Sequence, residues 1–163
     1  MSTMFLQFLL VLLVAIHATL ACLCKPMTLS EAMCSSTTVV LARVSDGQPH
    51  KVSDVAYRRY LLNVSSTLRE DDTKMSMNDR QGALLFPEAV SDCGGILTDG
   101  LDYVIAGSVD SNGELVSASC FYHNPYEYLA NDAIYMKILI GQLDCKDVSM
   151  NICPDSSKTY NTI

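Results

Sequence analysis

The sequence lacks the short motifs that mark the common classes of enzyme. It contains no Gly-x-Ser-x-Gly elbow, no phosphate-binding loop and no Cys-x-x-Cys pair. Beyond residue 21 only two histidines remain, His50 and His123, and they do not have the i, i+4 spacing of a helical zinc site. We therefore expect both to be surface imidazoles, and we expect neither catalytic activity nor a cofactor of the protein's own.

Positive charge is also scarce. The chain carries 11 Lys and Arg against 18 Asp and Glu, so its net charge is −7 and its pI is near 4.7. A surface this acidic repels the phosphate backbone of DNA or RNA. We expect no nucleic-acid partner.

The first 21 residues contain no Asp, Glu, Lys or Arg. Their apolar run, Phe5 to Ile16, is interrupted only by Gln7 and is shorter than the roughly 20 residues that cross a bilayer. Small side chains at Thr19 and Ala21 suit signal peptidase, which predicts a signal peptide over 1–21 and a secreted, extracellular product without a membrane partner. An uncleaved anchor is the alternative. A bacterial lipobox ending at Cys22 is a third interpretation, but that motif requires a larger aliphatic residue in place of Thr19.

Cysteines are the most informative residues of the remaining chain. Removing 21 of the 163 residues leaves 142, enough for one domain with one core, and all seven cysteines lie there. In an oxidising compartment they predict three disulfides and one odd cysteine, but six cysteines allow 15 pairings. Metal binding by the thiolates of Cys22 and Cys24 is a weaker alternative. Cleavage after Ala21 would also leave the α-amino group of Cys22 beside its own carbonyl oxygen, a ready bidentate metal ligand.

Strand-like segments dominate the pattern of the chain. They are Thr37–Val44, Tyr60–Val64, an apolar run at Ala83–Phe86, Tyr103–Val109 and Leu115–Phe121. Asn112-Gly113 predicts a tight hairpin between the last two. The stretch from Cys22 to Cys34 is predicted to be extended, and 69–82 to be an exposed loop.

One helix is predicted near the end of the domain. Asn124 is a candidate cap, with Pro125 in the first turn and Glu127 three residues after the cap. The predicted apolar face comprises Leu129, Ala133, Met136 and Ile140, and Gly141 is the predicted C-terminal cap. Together the elements predict a mainly β chain, a five-stranded OB-fold barrel with packed helices and disulfides that staple it.

The cysteines and their neighbours form a recognisable series. Its members are Cys22-Leu23-Cys24-Lys25-Pro26, Ala32-x-Cys34, Pro87 with Ser91-Asp92-Cys93-Gly94, Tyr103-Val104-Ile105-Ala106-Gly107, Cys120 and Cys145. The first resembles the opening Cys-x-Cys-x-Pro of the tissue inhibitors of metalloproteinases. The others resemble that family's next cysteine element, its second inhibitory segment, its Tyr-Leu-Ile-Ala-Gly strand and its later cysteines. The resemblance extends from Cys22 to about Asp147.

The resemblance implies a netrin-like OB-fold module over 22–147, followed by a short polar tail over 148–163. It implies the disulfides Cys22–Cys93, Cys24–Cys120 and Cys34–Cys145. It further implies an inhibitor of zinc metalloproteinases of the extracellular matrix, in which the α-amino nitrogen and carbonyl oxygen of Cys22 bind the protease's zinc and residue 23 enters the S1′ pocket. The implied inhibitory ridge comprises Cys22, Leu23, Cys24, Lys25, Pro26, Val90, Ser91, Asp92 and Cys93.

Three departures from the family pattern bear on function. Leu23 stands where the family usually has Thr or Ser, and Pro125-Tyr126 stands where it has Pro-Trp. The family's second, three-disulfide domain is expected to be absent, which leaves Cys153 free, capped or bonded to another protein. The alternative function is a secreted netrin-like module that binds proteins without inhibiting a protease. Asn63-Val64-Ser65 is in addition a glycosylation sequon.

Overall fold

The computed structural model describes residues 25–70, 81–89, 93–129 and 131–148, except for the side chain of residue 147. The predicted signal peptide, most of the predicted loop at 69–82 and all but the first residue of the predicted tail lie outside these ranges. The described residues form six strands and two α-helices. These are α1 (Leu29–Ser35), β1 (Thr38–Val52), β2 (Val55–Glu70), β3 (Gln81–Pro87), β4 (Asp102–Val109), β5 (Leu115–Val116), β6 (His123–Pro125) and α2 (Ala133–Leu139), with single 3₁₀ turns at Tyr126–Tyr128 and Cys145–Asp147.

Five of the strands close into a ring. The sheet order is β1-β2-β3-β5-β4-β6, and β1 also pairs with β4. The ring therefore runs β1-β2-β3-β5-β4 and back to β1, while β6 pairs with Tyr103, Val104 and Ile105 of β4. Only the short β3–β5 pairing is parallel. This mainly β arrangement confirms the predicted OB-fold-like, netrin-type module, with a sixth strand outside the predicted five.

The ring encloses the main apolar core because side chains alternate between its two faces. Inward positions of all five ring strands contribute to it, and Tyr60, Leu62, Leu84, Phe86, Ile105 and Leu115 are almost completely buried there. β-branched residues such as Val40 and Val44 suit this pleated interior.

The outer face of β1 and β4 forms a second apolar layer with the two helices. Val39, Val104 and Ala106 point outward from the ring and are covered by Leu29, Ala32 and Met33 of α1 and by Tyr135 of α2. The disulfide Cys34–Cys145 joins α1 to the chain that follows α2. The helices are thus held against one side of the ring.

The extended conformation predicted for 22–34 is wrong from Leu29 onward, because α1 occupies Leu29–Ser35. Thr28 caps this helix: its hydroxyl accepts from the Glu31 N–H, and Glu31 Oε2 accepts from the Thr28 N–H at 2.7 Å. That reciprocal pair is a capping box. The Thr-x-x-Glu pattern of the sequence is the local signal for this helix start.

The helix predicted from Asn124 begins later than expected. Asn124 instead pairs with Val104 in β6, and α2 begins at Ala133, where Asp132 caps the N–H groups of Ile134 and Tyr135. The buried side chain of α2 is Tyr135, whereas Met136 and Ile140 of the predicted apolar face are about half exposed or more. Pairing with β4 therefore outweighs the local capping pattern at Asn124.

The predicted hairpin and the first two predicted strands differ from expectation in length. The Asp110–Gly113 turn joins β4 to β5 as predicted, but β5 ends at Val116 rather than Phe121. Only Gly113 of this turn has a positive φ, of 80°, and the Asp110 carboxylate accepts from the N–H groups of Asn112 and Glu114. β1 and β2 run well beyond the predicted Val44 and Tyr60 and meet at a turn around Ser53.

Candidate functional site: a ridge at one end of the ring

The predicted inhibitory ridge is described at three of its nine positions, Lys25, Pro26 and Cys93. The other six predicted residues, Cys22, Leu23, Cys24, Val90, Ser91 and Asp92, lie outside the described residues, as does Cys153. The geometry of the site is therefore given by the described segments that lead into and out of these residues.

Three chain segments meet where the predicted ridge leaves the fold. The Met27 N–H donates to the Cys120 carbonyl oxygen at 3.0 Å, and the Ser119 N–H donates to the Cys93 carbonyl oxygen at 2.6 Å. The chain at 119–120 thus holds the amino-terminal segment on one side and the Cys93 segment on the other. The chain that leads out of the first predicted ridge segment, at Met27, and the end of the second, at Cys93, therefore share one support.

The amino-terminal segment is fixed just behind the exposed Lys25 and Pro26. Met27 packs against the second apolar layer, and Thr28 starts α1 through its capping box. The backbone is therefore fixed to the rest of the fold from Met27 onward.

The Cys93 segment folds back on the carboxyl end of β3. The Gly95 N–H donates to the Pro87 carbonyl oxygen and the Gly94 N–H to the Ala89 carbonyl oxygen, both at 2.9 Å. Cys93 itself has a φ of 58°, in the left-handed region that non-glycine residues seldom adopt. At Gly94 a Cβ atom would overlap the Pro87 carbonyl group, so this close approach requires glycine.

Two tyrosine hydroxyls hold the chain that follows Gly95. The Leu97 N–H donates to Tyr60 Oη at 3.0 Å, and the Thr98 N–H donates to Tyr103 Oη at 3.1 Å. Tyr60 is 1% exposed, and its burial in the ring raises its pKa above the ordinary value, against the opposing effect of the Leu97 backbone. Both tyrosines stand on ring strands, so the ring anchors the chain at Leu97 and Thr98, a few residues after Cys93.

The segment just before the predicted Val90–Cys93 stretch is also anchored. Glu88 Oε1 forms an ion pair with Arg58 Nη2 at 3.0 Å, and the Glu88 N–H donates to the Ala56 carbonyl oxygen. The chain is therefore held on both sides of the stretch, by β2 at Glu88, by residue 119 at Cys93 and by the end of β3 at Gly95. Sequence reasoning missed these supporting residues, because they carry no motif.

Cys93 and Cys120 are both disulfide-bonded, and Cys34 is bonded to Cys145 as the resemblance implies. Cys22 and Cys24 lie outside the described residues, so the pairings Cys22–Cys93 and Cys24–Cys120 stay predictions. Cys93 and Cys120 are also the residues whose carbonyl oxygens accept the hydrogen bonds from Ser119 and Met27 described above.

The two histidines take no part in this ridge. His50 is exposed on β1, as predicted, whereas His123 is only partly exposed, with its ring 5.2 Å from that of Phe86 and its Nδ1 3.0 Å from the Phe121 carbonyl oxygen. Within the described ranges, no group of three or more His, Cys, Asp or Glu side chains could hold a metal ion. The same ranges contain no helix with the length and apolar character needed to cross a membrane.

The arrangement is thus a backbone support in which residues 119 and 120 hold the chain at Cys93 and at Met27. A search of curated proteins found no match to the chain. The family model for the tissue inhibitor of metalloproteinase matches residues 20–140, about three quarters of the sequence. The chain therefore belongs to the tissue inhibitor of metalloproteinase family.

Proposed function

We propose that this protein inhibits zinc metalloproteinases of the matrix metalloproteinase type through its amino-terminal cysteine. Family membership indicates a metalloproteinase inhibitor rather than an enzyme, and its members are typically secreted. In the proposal, residues 1–21 are a signal peptide, 22–147 form the inhibitory domain and 148–163 a polar tail. The mature chain then starts at Cys22, whose α-amino nitrogen and carbonyl oxygen ligate the protease's zinc.

The observation that carries the proposal is the pair of backbone hydrogen bonds from Met27 to Cys120 and from Ser119 to Cys93. They tie Met27, which follows the proposed segment Cys22–Pro26, and Cys93, which ends the proposed segment Val90–Cys93, to two neighbouring residues. A substrate-like inhibitor must present its ligating atoms without a large loss of conformational entropy on binding. A preorganised root meets that requirement.

The proposed chemistry needs only atoms of the first residue. A neutral α-amino nitrogen has a lone pair for zinc, and the adjacent carbonyl oxygen completes a five-membered chelate. In metalloproteases the metal-bound water is the nucleophile. Occupation of its position by Cys22 removes the nucleophile, and the inhibitor needs no cofactor of its own.

Leu23 is proposed to occupy the S1′ pocket beside the zinc. Burying a leucine side chain is worth about 1.5 to 3 kcal/mol, which favours proteases whose pocket is deep and apolar. Thr or Ser at this position, as in most of the family, would gain less from such a pocket. Leu23 is therefore the residue most suited to set the choice of target.

The proposal is tested by titrating the secreted protein against a panel of zinc proteases at several pH values. Intact mass must first give a start at Cys22. An α-amino group has an ordinary pKa of about 7.7 to 8.0, and it must lose its proton to bind zinc. We expect stoichiometric inhibition that weakens as pH falls below 7, after correction for the proteases' own titration. Binding without inhibition at every pH would instead identify a netrin-like binding module.

A further inference from the structure

The sequon Asn63-Val64-Ser65 lies on β2, in the wall of the ring. Its middle residue, Val64, points into the core and is buried, whereas Asn63 and Ser65 are exposed on the outer face. Sequons that are used carry a bulky, hydrophilic sugar and therefore have to face solvent. Asn63, the residue that would carry the sugar, meets this condition because side chains alternate between the two faces of the strand.

The surroundings of Asn63 leave room for a sugar. A shallow groove of about 380 Å³ opens beside it, lined by Leu41, Arg43, Asn63, Ser65, Asp102 and Tyr126. Within the described part of the chain the Asn63 amide makes no hydrogen bond, while Ser65 Oγ donates to the Leu41 carbonyl oxygen at 3.0 Å. Arg43 and Asp102 form a bidentate ion pair in the groove, with two hydrogen bonds between them, and the hydrogen bond to Asp102 raises the pKa of Arg43.

The position of Asn63 along the sheet separates it from the proposed ridge. Asn63 is paired with Gln81, at the start of β3, while the Cys93 segment docks on Pro87, at its end. Six residues of strand span about 20 Å. A sugar on Asn63 would therefore leave the sheet about 20 Å from the point at which the Cys93 segment docks.

We propose that Asn63 is an N-glycosylation site and that its glycan is compatible with protease binding. The donor is a lipid-linked oligosaccharide pyrophosphate of the secretory pathway. Asn63 Nδ2 forms a bond to the anomeric carbon of the first sugar as the bond from that carbon to the pyrophosphate oxygen breaks. The lipid pyrophosphate leaves with the bonding electrons, and the amide nitrogen loses one proton. The second half of the proposal rests on the proposed inhibitory function.

The experiment is secretion of the full chain from cultured animal cells, followed by intact mass before and after treatment with peptide N-glycosidase. We expect the wild type to lose the mass of one oligosaccharide and to retain the Asn63→Asp change that this enzyme leaves. Asn63→Gln and Ser65→Ala should both be secreted without the sugar. Ser65→Thr is the matched control, since it keeps the sequon and a hydroxyl and should stay glycosylated.

Mass and inhibition separate the two halves of the proposal. A secreted wild type of unmodified mass, or a sugar that persists in Asn63→Gln, overturns the site. Glycosylated and deglycosylated forms should inhibit a protease within twofold of each other, and tenfold stronger inhibition after deglycosylation overturns the compatibility. If neither form inhibits, the proposed function and this compatibility fail, while the mass result still decides the site.

Discussion

Tyr60→Phe removes a single oxygen atom that joins the core to the chain just after the Cys93 segment. Tyr60 is buried in the ring, and its hydroxyl accepts from the Leu97 N–H at 3.0 Å and lies 3.4 Å from the Leu97 carbonyl oxygen. Leu97 is itself buried. The variant therefore leaves a buried backbone N–H without its partner, while the phenyl ring keeps its packing.

An unsatisfied buried donor costs about 1 to 3 kcal/mol, and we expect the free energy of unfolding to fall by that amount. Urea denaturation with intact disulfides measures it, since the midpoint shifts while the slope stays constant. Tyr128→Phe is the matched control, because Tyr128 is 72% exposed and should change stability by less than about 0.5 kcal/mol. Equal stability of Tyr60→Phe and the wild type would refute the role given to this hydroxyl.

The same residue predicts a dependence on alkaline pH. Burial raises the pKa of Tyr60 in the folded protein, so the folded state favours the neutral phenol. This contribution of Tyr60 to stability is complete below the pKa of about 10 that tyrosine has in the unfolded chain. It is lost as pH rises from there toward the pKa of Tyr60 in the folded protein. The Tyr60→Phe variant should therefore lose less stability than the wild type between pH 9 and pH 11.

Three further predictions concern the ridge itself. Gly94→Ala should lower the free energy of unfolding by about 1 to 3 kcal/mol and weaken inhibition, because the added Cβ would overlap the Pro87 carbonyl group. Gly95→Ala is the control, because its Cβ would meet only Phe86 Cε1 at 3.6 Å, and it should change neither stability nor inhibition by much. Leu23→Gly should weaken inhibition of a deep-pocketed protease at least tenfold, as loss of about 1.5 to 3 kcal/mol of apolar burial requires, and an unchanged inhibition constant would place residue 23 outside the pocket. Peptide mapping without reduction should find Cys22–Cys93 and Cys24–Cys120, and Cys153 in either bridge would contradict the assignment.

The sequence was sufficient for the ring strands because burial dominates there. Residues 37–44 and 103–109 are rich in β-branched and apolar side chains, and both segments form strands whose inner positions fill the core. The Asp110–Gly113 turn was equally predictable from the sequence. Its hydrogen bonds are accepted by the Asp110 carboxylate and its positive φ is adopted by Gly113, so both features are local.

Helix positions were harder to predict because two local signals compete with tertiary pairing. Asn124-Pro125 and Asp132 are both candidate helix starts. Asn124 pairs with Val104 of β4 instead, and of the two only Asp132 caps a helix. The supports of the ridge were beyond sequence reasoning for a different reason. Tyr60 and Ser119 contribute through a hydroxyl and a backbone N–H whose partners are 37 and 26 residues away in sequence.

The measurement that tests the central claim most directly is the addition of one alanine before Cys22. The extension converts the α-amino group into an amide that cannot ligate zinc, and it leaves the ring and the cysteines unchanged. We predict native stability and disulfides, with inhibition of a susceptible metalloproteinase weakened 100-fold or more, which corresponds to about 2.7 kcal/mol. If the extended protein inhibits as strongly as one that begins at Cys22, chelation by the terminal cysteine is wrong.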